Sequence, residues 1–288
     1  MAVAEVLGVE YEDVRLVPFV SVGQPSGSTA ASSGLPTVTS ACWDAAREVR
    51  QKLLNNAASI LDVDPSELDT KDKTVYVKAD PTKTVKYTDV LKTFGLLLAT
   101  GVGKGITDGA LAPKDPETGK CLVERGLFAS CVEVEVDIDT GKVEVVNIMS
   151  APQGGTVVAP DVLRGQILGG LTHGASQMLG EGYIYDESTG TPLNCSTCYY
   201  PILSAMDVSE EMYDIVVDSN PAHAPTIPFH AKGLAEGIYA AFWPAFNMAV
   251  YNAIAGAGGT RIREYPFKPE RILDALGKAK FPKTKSVA

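Results

Sequence analysis

The stretch that decides the fold is residues 228–255, PFHAKGLAEGIYAAFWPAFNMAVYNAIA. From Ile238 to Ala255 almost every side chain is apolar or small, which predicts a helix packed on all its faces rather than an amphipathic surface helix. Because proline has no backbone donor, Pro244 must either kink this helix or mark where its regular part begins. The run is too short, and broken too early, to span a bilayer.

A single carboxylate, Glu236, stands between the glycines of Gly233-Leu-Ala-Glu-Gly237, at the mouth of the predicted helix. Burial of an unpaired carboxylate is costly unless donors or a cation compensate. The first backbone N–H groups of a helix can supply such donors, and the helix dipole favours negative charge there. The residues alone leave two interpretations open: Glu236 caps the helix, or it acts as a general base in a closed site.

A further segment, FKPERILDAL at residues 267–276, follows the apolar helix. The Gly-x-x-Glu loop, the helix after it and this ending together resemble the molybdenum-cofactor subunit of the xanthine oxidase family of molybdenum hydroxylases. The resemblance implies that Glu236 is the base beside the metal and that Gly233 belongs to the cofactor-binding loop. Many members have glycine directly before the glutamate, where this chain has Ala235.

A segment dense in Ser, Gly, Thr and Pro covers residues 21–40, a composition typical of a loop. A flexible linker is one interpretation. Within it, STAASSG at residues 28–34 resembles the family's small-residue segment over the molybdenum, where tiny side chains let backbone N–H groups approach the cofactor. The resemblance implies that the cofactor is bound by Thr29, Ala30, Ala31 and Ser32.

Five glycines interrupt a predicted helix at residues 160–180, PDVLRGQILGGLTHGASQMLG. Each costs about 1 kcal/mol relative to alanine, so their presence indicates that something approaches the helix closely. Tight packing between helices would explain them. The Gly-Gln-Ile-x-Gly-Gly pattern also resembles the family's pterin-binding helix, which implies that the Gln166 amide hydrogen-bonds the pterin. His173 is interpreted as a packed or hydrogen-bonded histidine rather than a metal ligand.

Two other motifs are interpreted without a catalytic role. GVGKGITDG at residues 101–109 has neither the Walker spacing nor the dinucleotide glycine spacing, and predicts a surface loop. Cys195 and Cys198 form a C-x-x-C, but no second pair lies at zinc-site spacing and the histidines are scattered. They are interpreted as ordinary thiols, with a redox or local metal role left open.

The resemblance implies an α+β fold. A hairpin is predicted where two alternating segments, residues 128–138 and 143–148, flank Asp139-Thr-Gly-Lys142. Other predicted helices cover residues 1–7 and 39–61, and other strands lie within residues 9–17, 74–78, 84–88 and 212–218. The resemblance implies the family's molybdopterin-binding architecture of mixed sheets and helices in two lobes, residues 1–150 and 151–288, the second carrying the Gln166 and Glu236 motifs.

The composition is that of a globular protein: 288 residues, 45% hydrophobic and 21% charged. A net charge of −10 argues against nucleic acid and against an anionic membrane surface as partners. The first residues show no secretory pattern, and five cysteines without a framework suit a reducing cytoplasm. The chain opens inside a supersecondary unit, so we expect a second polypeptide to supply the first half of the molybdenum subunit.

The resemblance implies a molybdopterin cofactor, in its plain or cytosine dinucleotide form, whose metal is held by the pterin dithiolene and by no protein ligand. The sequence has neither iron–sulfur cysteine clusters nor a flavin fingerprint, so [2Fe–2S] and FAD are expected on partner subunits. The implied reaction hydroxylates an electron-poor carbon of a small N-heterocycle or aldehyde with oxygen from water. Two alternatives stay open: a molybdenum-dependent hydratase, and a non-catalytic scaffold half of a split subunit.

Overall fold

A computed structural model describes residues 1–17, 29–100, 126–223 and 228–280. It divides into two compact units: Met1–Arg125 with Pro221–Gly233, and Gly126–Asn220 with Leu234–Ala288. The predicted lobe boundary after residue 150 therefore differs from the observed one. It would cut through a strand, Val143–Pro152, that is paired on both sides within the second unit. The segment 101–109, predicted as a surface loop, lies outside the described residues.

The first unit packs helices against a small antiparallel sheet. Its helices are α1 (Ala2–Leu7), α2 (Gly34–Leu61) and α3 (Tyr87–Phe94), and its sheet has the order β1 (Leu68–Lys71), β2 (Thr74–Val77) and β3 (Asp80–Lys86). The core forms because one stripe of α2 faces the inward side chains of the strands. Its buried members include Leu53, Leu54, Ala57, Leu68, Val75 and Val90.

Several element boundaries in this unit differ from the prediction. Helix α2 begins at Gly34 rather than at residue 39, and the strand expected within residues 84–88 is β3, which ends where α3 begins. Residues 9–17 contain a short 3₁₀ turn, Tyr11–Asp13, and no strand. In that turn the Glu10 N–H donates to the Asp13 carboxylate at 3.1 Å, and Lys73 forms an ion pair with the same carboxylate. Local side-chain bonding of this kind competes with an extended backbone.

The second unit packs three helices against a mixed sheet. Strands β4 (Phe128–Val136) and β5 (Val143–Pro152) form the predicted antiparallel hairpin, and β6 (Tyr213–Ile215) pairs in parallel with β5. The helices are α4 (Pro160–Leu179), α5 (Ala235–Gly256) and α6 (Pro269–Ala275). The hairpin turn is closed by the Asp137 carboxylate, which accepts the N–H of Asp139 at 2.8 Å. The α+β fold class is thus confirmed.

Helix α5 supplies the centre of this core. Its fully buried side chains recur every fourth residue: Ile238, Phe242, Phe246, Val250 and Ile254. The opposite side of the helix is exposed at Ala240, Pro244 and Met248 within the described residues. The expectation of a helix packed on every face is therefore wrong for this chain. No helix of the described ranges is long and apolar enough to cross a bilayer.

Candidate functional site

Glu236 is the second residue of α5, and its side chain is exposed in the described chain. The predicted enclosure of this carboxylate is therefore not found among the described residues. Leu234, not Glu236, occupies the N-cap position, and its side chain makes no capping hydrogen bond. A carboxylate in the first turn is still favourable, since the unpaired N–H groups there carry partial positive charge.

The start of α5 is held in place by contacts that only a glycine permits. A Cβ at Gly237 would lie 2.2 Å from the ring of Phe128, so the helix backbone rests directly on the first residue of β4. Leu234 is buried and packs against Gly154. Phe128 therefore shapes this site, although no sequence pattern marks it as a site residue. No spacing in the sequence links position 128 to position 237, so no signal could have found it.

Helices α4 and α5 pack side by side and run in the same direction. A Cβ at Gly170 would lie 3.2 Å from Ile238, and one turn later Gly174 abuts Phe242 in the same register. Gln166 is one turn before Gly170, and Glu236 is just before Ile238. The packing therefore places Gln166 and Glu236 at the same end of the helix pair.

The side of α4 that carries Gln166 is open in the described chain. Gln166 is exposed, and Cβ atoms built at Gly165 and Gly169 would meet no heavy atom within 4 Å. The glycines of this helix thus serve two purposes, because Gly170 and Gly174 accommodate α5 whereas the other two leave a smooth open surface. A flat ligand can approach an unobstructed helix backbone of this kind.

His173 lies further along the open side of α4. Its ring is 5.6 Å from that of Tyr239 and its Nε2 is 3.0 Å from the amide nitrogen of Gln177. The described residues contain no cluster of three or more His, Cys, Asp or Glu side chains suited to a metal ion. The His173 ring thus has a hydrogen-bonding partner in Gln177, as one of the two interpretations of this residue expects, although its side chain is exposed.

The small-residue segment belongs to the first unit and forms a tight turn before α2. The Ser33 N–H donates to the carbonyl oxygen of Ala30 at 3.2 Å, and its hydroxyl donates to the same oxygen at 2.8 Å. Ala31 and Ser32 adopt φ angles of 55° and 57°, a left-handed conformation that larger side chains rarely tolerate.

Gly233 belongs to the same unit and lies directly against this turn. A Cβ at residue 233 would lie 1.7 Å from the carbonyl oxygen of Ser32, which no side chain could tolerate. The structure therefore brings together five of the predicted cofactor-binding residues: Thr29, Ala30, Ala31, Ser32 and Gly233. Gln166 and Glu236 belong to the second unit. That these residues contact a cofactor stays a prediction.

Comparison with known proteins gives a consistent result. The Molybdopterin cofactor-binding domain family matches residues 1–209. The carbon monoxide dehydrogenase large chain of Hydrogenophaga pseudoflava is 28% identical over 273 residues, which are 95% of this chain and 32% of that protein. The aldehyde oxidoreductase molybdenum-binding subunit PaoC of Escherichia coli K12 is 27% identical over 281 residues, 95% of this chain and 34% of that subunit.

A solved structure agrees with these sequence relatives. Quinoline 2-oxidoreductase from Pseudomonas putida 86 superposes with a TM-score of 0.80 at 25% identity, covering 97% of this chain and 34% of that one. The chain thus spans about a third of the length of the relatives it matches. On the match over residues 1–209, the chain belongs to the molybdopterin cofactor-binding domain family, that of the molybdenum-binding subunits of xanthine oxidase-type enzymes.

Proposed function

We propose that this chain is a molybdopterin-binding part of a multi-subunit molybdenum hydroxylase. The enzyme would hydroxylate an electron-poor carbon of an N-heterocycle or an aldehyde, with oxygen derived from water. The observation that carries this proposal is the parallel packing of α4 and α5, which sets the Gln166 amide and the Glu236 carboxylate at one end of the helix pair. The names of the relatives support both substrate classes, since one acts on quinoline and another on aldehydes.

The residues present fit a molybdopterin. The open side of α4 offers the Gln166 amide, which both donates and accepts hydrogen bonds, beside two glycines that leave room for a flat heterocycle. The turn at residues 29–33 presents small side chains with left-handed backbone at Ala31 and Ser32, the type of conformation that directs backbone N–H groups toward an acceptor. We propose that these residues and Gly233 hold the cofactor, in its plain or cytosine dinucleotide form.

Glu236 is proposed as the general base. When bound, the molybdenum cofactor supplies two-electron redox chemistry and the pterin dithiolene that holds the metal. The Glu236 carboxylate accepts the proton that a water-derived nucleophile loses before it attacks the substrate carbon. Its position in the first turn of α5 places the carboxylate at the positive end of the helix dipole.

The other components of the enzyme are proposed on other chains. A second polypeptide is proposed to supply the rest of the molybdenum subunit. Partner subunits would carry [2Fe–2S] and FAD and receive the electrons. The four cysteines that the structure describes are free thiols, which supports the expected cytoplasmic location.

The test compares substitutions of two matched carboxylates. Each variant is co-expressed with the partner subunits and purified as the complex. Glu236 and Glu270 each occupy the second position of a helix, α5 and α6. We expect Glu236→Gln to retain molybdenum but to lower turnover about 10²–10⁴-fold, the usual contribution of a general base. Glu270→Gln should leave turnover unchanged. A Glu236→Gln enzyme that works at the normal rate would remove the base assignment.

A second measurement separates catalysis from scaffolding. Gln166→Leu should lower the molybdenum content of the complex, measured by mass spectrometry of the metal, while the subunits still assemble. If the metal content does not respond to changes at Gln166 or in the 29–32 turn, this chain only scaffolds a partner that carries the whole site. Reduction of an acceptor dye by substrate distinguishes hydroxylation from hydration, because hydration transfers no electrons.

A further inference from the structure

The C-x-x-C pair lies in a short segment that is held at both ends. Asn194, directly before Cys195, is buried; its side chain accepts the Ile184 N–H at 2.8 Å and donates to the Gly182 carbonyl oxygen at 2.8 Å. Beyond the turn, the Leu203 N–H donates to the buried hydroxyl oxygen of Ser176 at 3.1 Å. Both cysteines are thus carried on an anchored segment.

Between these anchors the backbone curls back on itself. The N–H groups of Tyr199 and Tyr200 both donate to the Ser196 carbonyl oxygen, at 2.9 and 2.8 Å, and the Cys198 N–H lies 3.3 Å from the Ser196 hydroxyl. This turn begins at Ser196, so Cys198 lies within it and Cys195 directly before it, with two residues between the cysteines. A disulfide needs Cβ atoms about 3.5–4.5 Å apart, so its formation between Cys195 and Cys198 requires only the short segment between them to rearrange.

The two thiols are accessible, and the described residues group no set of metal ligands around them. Both are free and exposed, whereas Cys42 on α2 is half-buried. A structural zinc site needs four ligands, and the described residues contain no group of three His, Cys, Asp or Glu side chains that could begin one. Exchange with a disulfide needs only two accessible thiols close together in the chain, which this pair supplies.

We propose that Cys195 and Cys198 form a reversible thiol–disulfide pair. One thiolate attacks a sulfur of glutathione disulfide, which gives a mixed disulfide and releases one glutathione. The second thiolate then attacks the protein sulfur of that mixed disulfide and releases the other glutathione. In total two electrons pass from the cysteine pair to the glutathione disulfide, and the two thiol protons end on the two released thiols. This modification does not depend on the proposed molybdenum chemistry.

The test incubates the chain in glutathione buffers of increasing oxidised fraction, blocks the remaining thiols by alkylation, and maps the peptides by mass spectrometry. We expect a Cys195–Cys198 linked peptide with the loss of two hydrogens, in a proportion that is independent of protein concentration. Cys131, which is exposed on β4, is the internal control. Because Cys131 has no partner in a C-x-x-C, it can form only the mixed disulfide, which we expect at a roughly tenfold higher glutathione disulfide concentration.

Two variants make the outcome decisive. Cys198→Ser should stop at the mixed disulfide on Cys195, with one glutathione added per chain, and a variant that retains only Cys195 and Cys198 should still form the linked peptide. The proposal is overturned if both cysteines carry glutathione without pairing, if either pairs with another cysteine, or if Cys195 and Cys131 react over the same range. The mapping of the unsubstituted chain decides the matter even where a variant folds poorly.

Discussion

Gly174 of α4 lies so close to Phe242 of α5 that a Cβ at residue 174 would be 2.5 Å from Cδ1 of the phenylalanine ring. Phe242 is fully buried among core side chains, so the ring cannot turn into solvent to make room for a Cβ. The contact fixes the register of the two helices, and this register places Gln166 and Glu236 at one end of the pair. The absence of a side chain at residue 174 is therefore a condition for the geometry of the candidate site.

Gly174→Ala is expected to lower the free energy of unfolding by about 1–3 kcal/mol, the usual cost of overpacking a tight interior contact. The matched control is Gly165→Ala in the same helix, where a Cβ meets nothing within 4 Å. That change should raise the free energy of unfolding by up to about 1 kcal/mol, because alanine is the better helix former. Urea unfolding of both variants checks this, and equal effects would show that the α4–α5 contact is not as close as described.

Much of the fold was predictable from local patterns. The alternating segments on either side of Asp139 predicted the β4–β5 hairpin, and the apolar run after Gly237 predicted α5. The open side of α5 was not predictable. Nearly all its residues are apolar or small, so periodicity could not show that only the stripe from Ile238 to Ile254 is buried. What selects this stripe is contact with α4 and β4, which are distant in the sequence.

The candidate site was predictable in its members but not in its arrangement. The glycines of α4 indicated a close approach, yet the sequence could not separate Gly170, which contacts Ile238, from Gly169, which faces open space. The prediction that Glu236 is enclosed also failed for the described chain. Enclosure depends on everything that packs around a residue, and the chain spans only about a third of its relatives.

Gly233→Ala is expected to destabilise the first unit, because the new Cβ would lie 1.7 Å from the Ser32 carbonyl oxygen and one backbone segment must move. We expect a loss of at least about 1–3 kcal/mol in the free energy of unfolding. Gly256→Ala is the control, since its Cβ would meet nothing within 4 Å. Chemical denaturation measures both changes. An unaffected Gly233→Ala protein would contradict the close approach of the two segments.

Pro244 lies on the exposed side of α5, inside the helix rather than at its start. Since proline removes a helical hydrogen bond, Pro244→Ala should raise the thermal unfolding midpoint of this chain, with a gain of up to about 3 kcal/mol. The reciprocal change on the same side one turn earlier, Ala240→Pro, should lower the stability by about 3 kcal/mol or more. A lower midpoint for Pro244→Ala would indicate that the proline ring itself makes stabilising contacts.

Asp186 organises an exposed turn in the second unit. Its carboxylate accepts hydrogen bonds from the hydroxyls of Ser188 and Thr189, at 2.6 and 2.9 Å, and from both backbone N–H groups. These bonds, that of the Ser188 hydroxyl first, lower the pKa of Asp186 from 3.8 to about 2. A carboxylate whose pKa is lower in the folded state stabilises that state above the unfolded pKa, and the benefit is lost as the pH falls through the folded pKa.

Asp186→Asn should therefore reduce the thermal unfolding midpoint near neutral pH, and its difference from the unsubstituted chain should shrink as the pH falls from 3.8 to about 2. The matched control is Ser188→Ala, which keeps the carboxylate but removes its first hydroxyl donor. In that variant the pKa of Asp186, followed by NMR titration, should return toward its ordinary value. A pKa near 3.8 in the unsubstituted chain would mean that the hydroxyl and N–H groups do not hold the carboxylate in solution.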